Sequence, residues 1–400
     1  MQSGLRIGSI FGIPVQIHPS WLVVVALITI SNSFEWQVSY PDWSNVVTWS
    51  IGLASALLLF GSVLVHELGH SLTARSQGID VNSITLFLFG GVASIDKESK
   101  TPGQAFQVAI AGPAVSIVLG ILLMGLLNLL PAGTPQAVLV RDLGRINIIL
   151  ALFNLIPGLP LDGGQIFKAA VWKATGDRFK AVRWAARAGA LIGWSAILFA
   201  FAGVFLLNAP GAIWIGLLGW FGVQNARNYD RVTSLQESLL NLKASDAMTR
   251  SFRVLDADLS LEAFTEDYLI PERSPVYFAA ANGRYCGLVK PDEMQTIERS
   301  EWSYQPVRKL VASLQDIATV TEGETLANII QRMEKEALKF ITVLSPAGAV
   351  AGVVDRGDLV QAIGRSMGFR FPPEEIERIK AEGRYPPGLQ LAAIAESIEV

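Results

Sequence analysis

The chain has 400 residues, of which 51% are hydrophobic and 17% are charged, and its mean hydropathy is +0.39. This composition excludes an ordinary soluble protein and predicts a membrane protein with a soluble part, long enough for two or three domains. The net charge of -3, without a basic run, gives no indication of a nucleic-acid partner. The single cysteine, Cys286, excludes an internal disulfide and a CxxC metal site.

The N-terminal residues 1–15 lack the apolar core of a signal peptide, and the alternation that ends at Ile17 predicts a short strand. Six apolar segments follow, and a helix needs about 20 residues to cross a bilayer. They predict transmembrane helices over residues 21–31, 46–74, 106–130, 143–157, 185–207 and 212–223. Lysine and arginine are absent from loops 32–45 and 207–211 but present in loops 75–104 and 165–184, so both termini are predicted to be cytoplasmic.

The second apolar segment carries ionisable residues toward its C-terminal end, where His66, Glu67 and His70 form an HExxH motif. An ionisable group at membrane depth is costly and usually functional. Residues four apart share a face of a helix, so both imidazoles lie together, and Glu67 projects about 100° away from His66. This geometry suits two zinc ligands and a carboxylate that reaches a water molecule.

Catalytic zinc sites usually have three protein ligands, so the motif requires another ligand elsewhere in the chain. The third histidine, His18, precedes the first apolar segment, where a structural role near the start of a helix is expected. Asp162 is the better candidate because it follows the fourth apolar segment in the sequence NLIPGLPLDGG, residues 154–164. The glycines and prolines of this loop permit the irregular backbone that would bring Asp162 to a metal.

These residues resemble the signatures of the site-2 proteases, polytopic zinc metalloproteases of peptidase family M50 that cleave transmembrane substrates within the bilayer. HExxH occupies residues 66–70, NxxPxxxLDG occupies residues 154–163, and the resemblance includes Ala-Gly-Pro at 111–113 within roughly residues 1–230. It implies one zinc ion on His66, His70 and Asp162, Glu67 as general base, and Asn154 holding the substrate or the oxyanion. It also implies a bacterial inner-membrane protein that cleaves single-span regulators resembling anti-sigma factors.

Residues 84–95 are apolar but too short to span, and two central glycines predict a membrane-associated β hairpin. The exposed edge of such a hairpin could hold an unwound substrate strand by backbone hydrogen bonds. The resemblance favours this role, because homologous proteases are thought to use such a hairpin; a structural re-entrant loop is the alternative. The candidate substrate-strand residues are Leu86, Phe87, Leu88, Phe89, Gly90 and Gly91.

The sequence beyond the apolar segments predicts a linker at residues 233–244 and then a tandem repeat. Its two units, residues 245–303 and 304–365, share one order of strands and helices, and GRYCGLV at 283–289 aligns with GAVAGVV at 348–354. Residues 366–400 form a tail. The predicted fold class is therefore a polytopic α-helical membrane protein of about six spans with a β hairpin or sheet, at residues 1–232, followed by a tandem α/β domain.

The repeat resembles a CBS-domain pair, which in many proteins binds adenosine nucleotides in its central cleft. Where that family commonly has a ribose-binding Asp three residues after Ser or Thr, this chain has Asp358 after Asp355, and Glu293 after Lys290 in the first unit. Asp358 could accept ribose hydrogen bonds, whereas Asp355 would add negative charge near phosphates. An adenosine nucleotide at Asp358 and a purely structural or homodimerising role therefore both stay open.

The sequence thus predicts an intramembrane zinc endopeptidase with a cytoplasmic regulatory domain, in contact with the lipid bilayer and with transmembrane protein substrates. One alternative is a transporter or channel gated by the CBS pair, since that pairing is frequent among transport proteins. Another is an inactive scaffold that binds membrane helices, which is disfavoured because every signature position is intact.

Overall fold

The computed structural model describes residues 4–88, 90–95, 98–270, 276–386 and 388–398. The chain divides into two compact units, residues 1–231 and 232–400. The first unit contains a four-stranded sheet and long apolar helices, whereas the second contains a four-stranded and a three-stranded sheet with short helices.

Long helices form most of the first unit. They are α1 (Ser20–Ser39), α2 (Asn45–Ser76), α3 (Pro102–Leu127), α4 (Pro135–Asn154), α5 (Asp162–Thr175), α6 (Arg178–Leu206) and α7 (Ile213–Asn241), which continues past the unit boundary. Among the described residues, α1, α2, α3 and α6 combine the length and the low charge that a membrane span requires. The chain is therefore a multi-pass membrane protein.

The prediction of six spans is not confirmed by these helices. The fourth predicted span begins at residue 143, but α4 begins at Pro135 and so includes Arg141, Asp142 and Arg145. The sixth covers residues 212–223, but α7 extends through charged turns to Asn241. The predicted bounds follow the apolar residues and stop near charged ones. The helices are longer because their backbone hydrogen bonds continue through the charged residues. Spans at α4 and α7 stay predictions.

Polar side chains set where the long helices begin, because the first N–H groups of a helix have no partner within it. The side chains of Ser44, Thr101, Thr134 and Asp177 each accept a hydrogen bond from the N–H three residues later, at the starts of α2, α3, α4 and α6. Pro102 and Pro135 follow two of these caps, at a position where the missing N–H costs nothing.

Helix α3 packs against α2, α4 and α5 and thereby brings them together. Glycines permit the contacts: a Cβ on Gly69 of α2 would lie 3.0 Å from the carbonyl oxygen of Ala111 on α3. On the other side, a Cβ on Gly120 of α3 would lie 3.1 Å from the carbonyl oxygen of Gly144 on α4. Close backbone approach through small residues is a common way for helices to associate in membranes.

The sheet of the first unit joins the N-terminus to the predicted hairpin. Its strands are β1 (Leu5–Ile10), β2 (Ile13–Ile17), β3 (Val81–Phe87) and β4 (Gly90–Ile95), in this spatial order. Both hairpins are antiparallel, whereas β2 and β3 are parallel neighbours, with Val15 opposite Ile84. The structure therefore contains the strand predicted to end at Ile17 and the predicted hairpin, and it leaves β4 at the edge of the sheet.

The second unit repeats one pattern of strand pairing. One sheet has the order β5-β6-β7-β8, and the other has the order β11-β10-β9. In each, a parallel pair is followed by an antiparallel hairpin, so β5, β6 and β7 correspond to β9, β10 and β11. The strands are β5 (Arg253–Asp256), β6 (Tyr277–Ala281), β7 (Arg284–Val289), β8 (Val311–Ser313), β9 (Thr319–Thr321), β10 (Phe340–Leu344) and β11 (Val350–Asp355).

The helices of this unit are α8 (Ala244–Ala247), α9 (Leu261–Phe264), α10 (Leu326–Lys335), α11 (Arg356–Ser366), α12 (Pro373–Glu382) and α13 (Leu391–Glu396). The two units of the repeat differ after their hairpins: β11 leads into α11, whereas β7 is followed by a 3-10 turn over Pro291–Thr296. The tail is not a separate appendage, because Ile379 of α12 and Leu391 of α13 are buried in the core that surrounds α10 and α11.

Candidate metal centre

Three potential ligand atoms from two helices converge in the first unit. His66 and His70 lie one turn apart on α2, and Asp162 is the first residue of α5. The Oδ2 atom of Asp162 lies 3.1 Å from Nε2 of His66 and 3.3 Å from Nε2 of His70, and the two Nε2 atoms are 3.2 Å apart. Within the part of the chain that the structure describes, this is the one cluster of three such ligands.

The outer nitrogen of each imidazole is held by helix α3. Nδ1 of His70 lies 2.7 Å from the carbonyl oxygen of Val108, and Nδ1 of His66 lies 3.0 Å from Oγ of Ser116. A carbonyl only accepts, so Nδ1 of His70 carries the hydrogen, and in the neutral ring Nε2 presents its lone pair to the cluster. Such outer contacts are typical of metal-binding histidines.

The absence of a side chain at Gly112 leaves room beside the cluster. A Cβ at this position would collide with Nε2 of His70 and lie 2.7 Å from Nε2 of His66. The missing side chain therefore leaves open the space beside both Nε2 atoms. Two imidazoles and one carboxylate are a common ligand set for catalytic zinc, so the residues present fit this ion.

Asp162 reaches the cluster because the loop before it packs tightly against its helix. A Cβ on Gly163 would collide with the carbonyl of Leu155, and one on Gly164 would collide with the backbone of Gly158. The amide N–H of buried Leu159 donates to the carbonyl of Ala185 on α6 over 3.3 Å. The two glycines after Asp162 are therefore required by close backbone approach, and the loop is fixed from both sides.

Glu67 lies between the cluster and the edge strand. A Cβ on Gly91 of β4 would lie 2.6 Å from Cγ of Glu67, so the strand passes directly beside this side chain. The backbone of Ala93, also on β4, lies near the Glu67 carboxylate. Asn154, the last residue of α4, completes the surroundings with its Nδ2 atom 3.4 Å from Nε2 of His66.

The candidate substrate-strand residues occupy different positions in the sheet. Leu86 and Phe87 belong to β3, which has a neighbour on each side, and Leu88 lies in the turn. Gly90 and Gly91 begin the edge strand β4. Phe89 lies outside the described residues. The free edge is thus that of β4 and not that of β3.

The remaining histidine has the structural position expected for it. The N–H of Ser20, the first residue of α1, donates to Nδ1 of His18 over 3.2 Å, and the His18 N–H donates to the carbonyl of Leu86. His18 therefore joins the start of α1 to the sheet and is not part of the metal cluster.

A charged cluster links the segment after β4 to the helix of Asp162. The carboxylate of Glu98 lies 3.5 Å from Nζ of Lys168 on α5 and 2.8 Å from the guanidinium of Arg178 on α6. Desolvation opposes the charge of Glu98, but the two cations outweigh it and lower the pKa of this carboxyl below its ordinary value. The sequence alone did not identify this cluster, because the three residues are distant in the chain.

Asp358 lies in the second unit and already has partners. Its buried carboxylate accepts from the N–H of Asp355 over 3.1 Å and from Nζ of Lys380 over 2.6 Å. Burial raises the pKa of Asp358, whereas the two carboxylates raise the pKa of Lys380 despite its own desolvation. Helix α12, which carries Lys380, therefore covers the candidate ribose contact.

Sequence reasoning also missed two groups around the histidines. Val108 contributes only a backbone carbonyl, so no side-chain pattern could identify it. Ser116 had one signal, because it is a hydroxyl residue in an apolar helix three positions after Pro113, but such residues are common at membrane helix contacts.

Comparison with known proteins agrees with this geometry. The family model described as "Peptidase family M50" matches residues 54–142 and 137–196. The "Putative zinc metalloprotease sll0528" of Synechocystis is 39% identical over 91% of this chain and 96% of its own length. The "Putative zinc metalloprotease Rip3" of Mycobacterium tuberculosis is 32% identical over 91% of this chain and 93% of its own length.

Among solved structures, the "Site-2 Protease from Methanocaldococcus jannaschii" is 31% identical and covers 57% of this chain and 96% of its own, with a TM-score of 0.42. The predictions of a metalloprotease and of zinc as its cofactor are confirmed by the family match and the curated relatives. The chain therefore belongs to peptidase family M50, the family of the site-2 proteases, and is a zinc metalloprotease.

Proposed function

We propose that this protein cleaves single-span membrane proteins within the bilayer, at a zinc site formed by His66, His70 and Asp162. The observation that carries the proposal is the convergence of the three ligand atoms, 3.1 to 3.3 Å apart, beside Glu67. The two histidines lie on a 32-residue apolar helix, so the chemistry would occur below the lipid surface. A soluble zinc protease has no need of such a setting.

Glu67 is the proposed general base. Zinc, when bound, supplies Lewis acidity that activates water and polarises a carbonyl group. The Glu67 carboxylate would take a proton from the attacking water and later give it to the leaving amine, so that the base is regenerated. The close approach of β4 at Gly91 would hold this side chain in place.

Asn154 is the proposed contact for the developing oxyanion or for the substrate backbone. Its amide nitrogen lies 3.4 Å from His66 Nε2, so it borders the cluster without being a ligand. An amide N–H aimed at a tetrahedral oxygen stabilises charge that appears only in the transition state.

The substrate strand is proposed to pair with β4. This strand is at the edge of its sheet, and Gly91 and Ala93 both lie against Glu67, so a peptide added there would pass the proposed base. Strand addition requires an extended peptide. A substrate helix must therefore unwind first, and helix-breaking residues near the cleavage site should accelerate the reaction.

The decisive test replaces the base and keeps the ligands. We expect Glu67→Gln to abolish cleavage of a membrane substrate in proteoliposomes while zinc content stays at about one per chain. Glu35→Gln is the matched control, because Glu35 is an exposed carboxylate on the membrane helix α1. Cleavage by the Glu67→Gln protein at the wild-type rate would refute the assignment.

The same inactive variant can identify substrates. Single-span membrane proteins that accumulate and co-purify with Glu67→Gln, but not with the wild type, are the candidates. We expect regulators with a soluble domain, such as anti-sigma-factor-like proteins, cleaved near the cytoplasmic end of their span. Accumulation that is equal in a His66→Ala strain would confirm that lost proteolysis is the cause.

The rival function is a transporter or channel. Ion or solute flux into vesicles that contain the purified protein, unchanged in His66→Ala, would favour it. Absence of flux, together with cleavage that depends on His66, would exclude it.

For the second unit we propose a cytoplasmic regulatory module of the CBS type. Its support is the repeated strand order and the paired sequences at 283–289 and 348–354. Because Lys380 on α12 donates a hydrogen bond to the Asp358 carboxylate, a nucleotide would reach this carboxylate only after α12 moves. Titration of the full chain with AMP and with ATP should then show tighter binding by Lys380→Ala than by the wild type. Binding that is equal in both proteins and in Asp358→Ala would exclude Asp358 as a ribose contact.

We further propose that six helices cross a bacterial inner membrane, with both termini in the cytoplasm. This orientation follows the distribution of lysine and arginine among the loops. Reporter fusions at residues 42 and 209, expected outside, and at the C-terminus, expected inside, test it.

A further inference from the structure

The two zinc-site histidines are held by chemically different partners. Nδ1 of His70 faces the carbonyl oxygen of Val108 at 2.7 Å, and Nδ1 of His66 faces the hydroxyl of Ser116 at 3.0 Å. A carbonyl can only accept, whereas a hydroxyl can donate or accept. His70 is therefore fixed with its hydrogen on Nδ1, but the hydrogen of His66 is not fixed by its partner alone.

The hydroxyl of Ser116 contacts the imidazole of His66. Its side chain is 1% exposed, and among the described residues His66 is the hydrogen-bond partner of its Oγ atom. It lies one turn after Gly112 on α3, so both residues share the face that α3 presents to the histidines. One residue leaves room for the ion, and the other holds the ring that binds it.

We propose that Ser116 is the positioning residue for His66. When Nε2 of His66 binds the metal, Nδ1 carries the hydrogen and donates to Ser116 Oγ. Without metal, Ser116 can donate to Nδ1 instead, which leaves the hydrogen on Nε2, 3.1 Å from the accepting Asp162 Oδ2. The hydroxyl thus holds the ring in one orientation through both arrangements. This inference rests on the proposed zinc ligands.

The test compares side chains of equal size that differ in the hydroxyl. Threonine and valine have nearly the same shape, so Ser116→Thr and Ser116→Val impose the same packing change, and Ser116→Ala removes the group with no added bulk. Partners of this kind typically change metal affinity by about 10- to 100-fold when removed. We expect that loss in Ser116→Val and Ser116→Ala and only a small change in Ser116→Thr, measured by competition with a chelator.

Ser71→Ala is the matched control. Ser71 is a fully buried serine on α2 next to His70, and its Oγ has no hydrogen-bond partner within the described residues. We expect it to bind zinc like the wild type, which would show that deleting a buried hydroxyl near the site does not by itself weaken the metal.

Nitrogen-15 NMR of histidine-labelled protein gives a second readout, because the chain has only 3 histidines. With zinc, we expect His66 to carry its hydrogen on Nδ1, and we expect Ser116→Val to broaden or shift that signal while the His70 signal stays. Equal zinc affinity in the Thr and Val variants, or an unchanged His66 signal in Ser116→Val, would overturn the role of Ser116. Zinc binding that survives His66→Ala would instead refute the proposed ligands, and the inference with them.

Discussion

Each unit holds an aspartate among polar side chains, Asp358 buried and Asp162 partly exposed, but the two carboxylates are satisfied in different ways. At Asp358 the cation belongs to the chain, since Lys380 lies 2.6 Å from the carboxylate. At Asp162 the neighbours are two imidazole nitrogens, one of which presents a lone pair in its neutral form. The first arrangement is complete by itself, whereas the second would be completed by a bound metal ion.

Because of this difference, we expect substitutions at the two sites to affect different properties of the protein. Breaking a buried ion pair leaves an unpaired charge and lowers stability. Altering a metal site changes affinity for the ion first, and the fold is affected through the binding energy that is lost. Substitutions at the metal centre should therefore have larger effects on zinc binding and cleavage than substitutions at the internal ion pairs have on folding stability.

Filling the space at the metal centre should have the largest effect. Gly112→Ala places a methyl group against both Nε2 atoms, so we expect zinc affinity to fall by on the order of 100-fold or more, with loss of cleavage. Metal analysis of the purified protein measures it. Gly61→Ala on α2 is the control, because a Cβ there meets nothing within 4 Å. Full zinc occupancy in Gly112→Ala would show that the ion does not bind in this space.

Removal of zinc should destabilise the first unit and not the second. A ligand at 1,000 times its dissociation constant stabilises the folded state by about 4 kcal/mol. We expect a chelator to reduce the hydrogen-exchange protection of α2 and α5, while α11 and α12 keep their protection. The response should disappear in Asp162→Asn. Equal loss of protection in α11 would contradict the separation of the two sites.

Removal of the internal cation should destabilise the second unit alone. Lys380→Met leaves the Asp358 carboxylate buried without its cation, which we expect to cost about 1–3 kcal/mol. Lys335→Met is the control, because Lys335 is an exposed lysine at the end of α10. Asp358→Asn in the Lys380→Met background should recover part of the loss. Additive effects of the two substitutions would mean that the pair does not interact.

The smallest effect is expected at Glu98, whose side chain is 54% exposed. Glu98→Gln should cost at most about 1 kcal/mol at neutral pH. Because the folded-state pKa lies below the ordinary value of 4.5, this contribution is present above pH 4.5 and is lost as the pH falls through the lowered pKa. The thermal midpoints of variant and wild type should therefore converge in acid. Asp80→Asn, at an exposed loop carboxylate, is the matched control.

Much of the candidate site could be predicted from the sequence, because its chemistry uses rare residues. An HExxH motif inside an uncharged segment, together with an aspartate followed by two glycines, seldom occurs without a metal, and the structure brings His66, His70 and Asp162 together. The groups that shape this site were not predictable in the same way. Gly112 and Ser116 are small residues in an apolar helix, where most such residues serve only helix contacts.

The fold was predicted well where one pattern determines the element. The hairpin and the strands of the repeat lie in the structure close to their predicted positions, because alternation and glycine turns are local signals. The ends of α4 and α7 were not predicted, since a helix continues wherever its hydrogen bonds can be made. The Lys380 partner of Asp358 was also missed, because it depends on how a tail folds back.

The parallel contact between β2 and β3 has a consequence for the directions of α1 and α2. These strands lie on either side of α1 and α2 in the chain, so the polypeptide must depart from the sheet and come back to it between Ile17 and Val81. The two helices between these strands must therefore run in opposite directions, α1 away from the sheet and α2 back toward it. The N-terminal hairpin thus pairs with the strand that follows α2, and the sheet joins the start of α1 to the end of the helix that carries the HExxH motif.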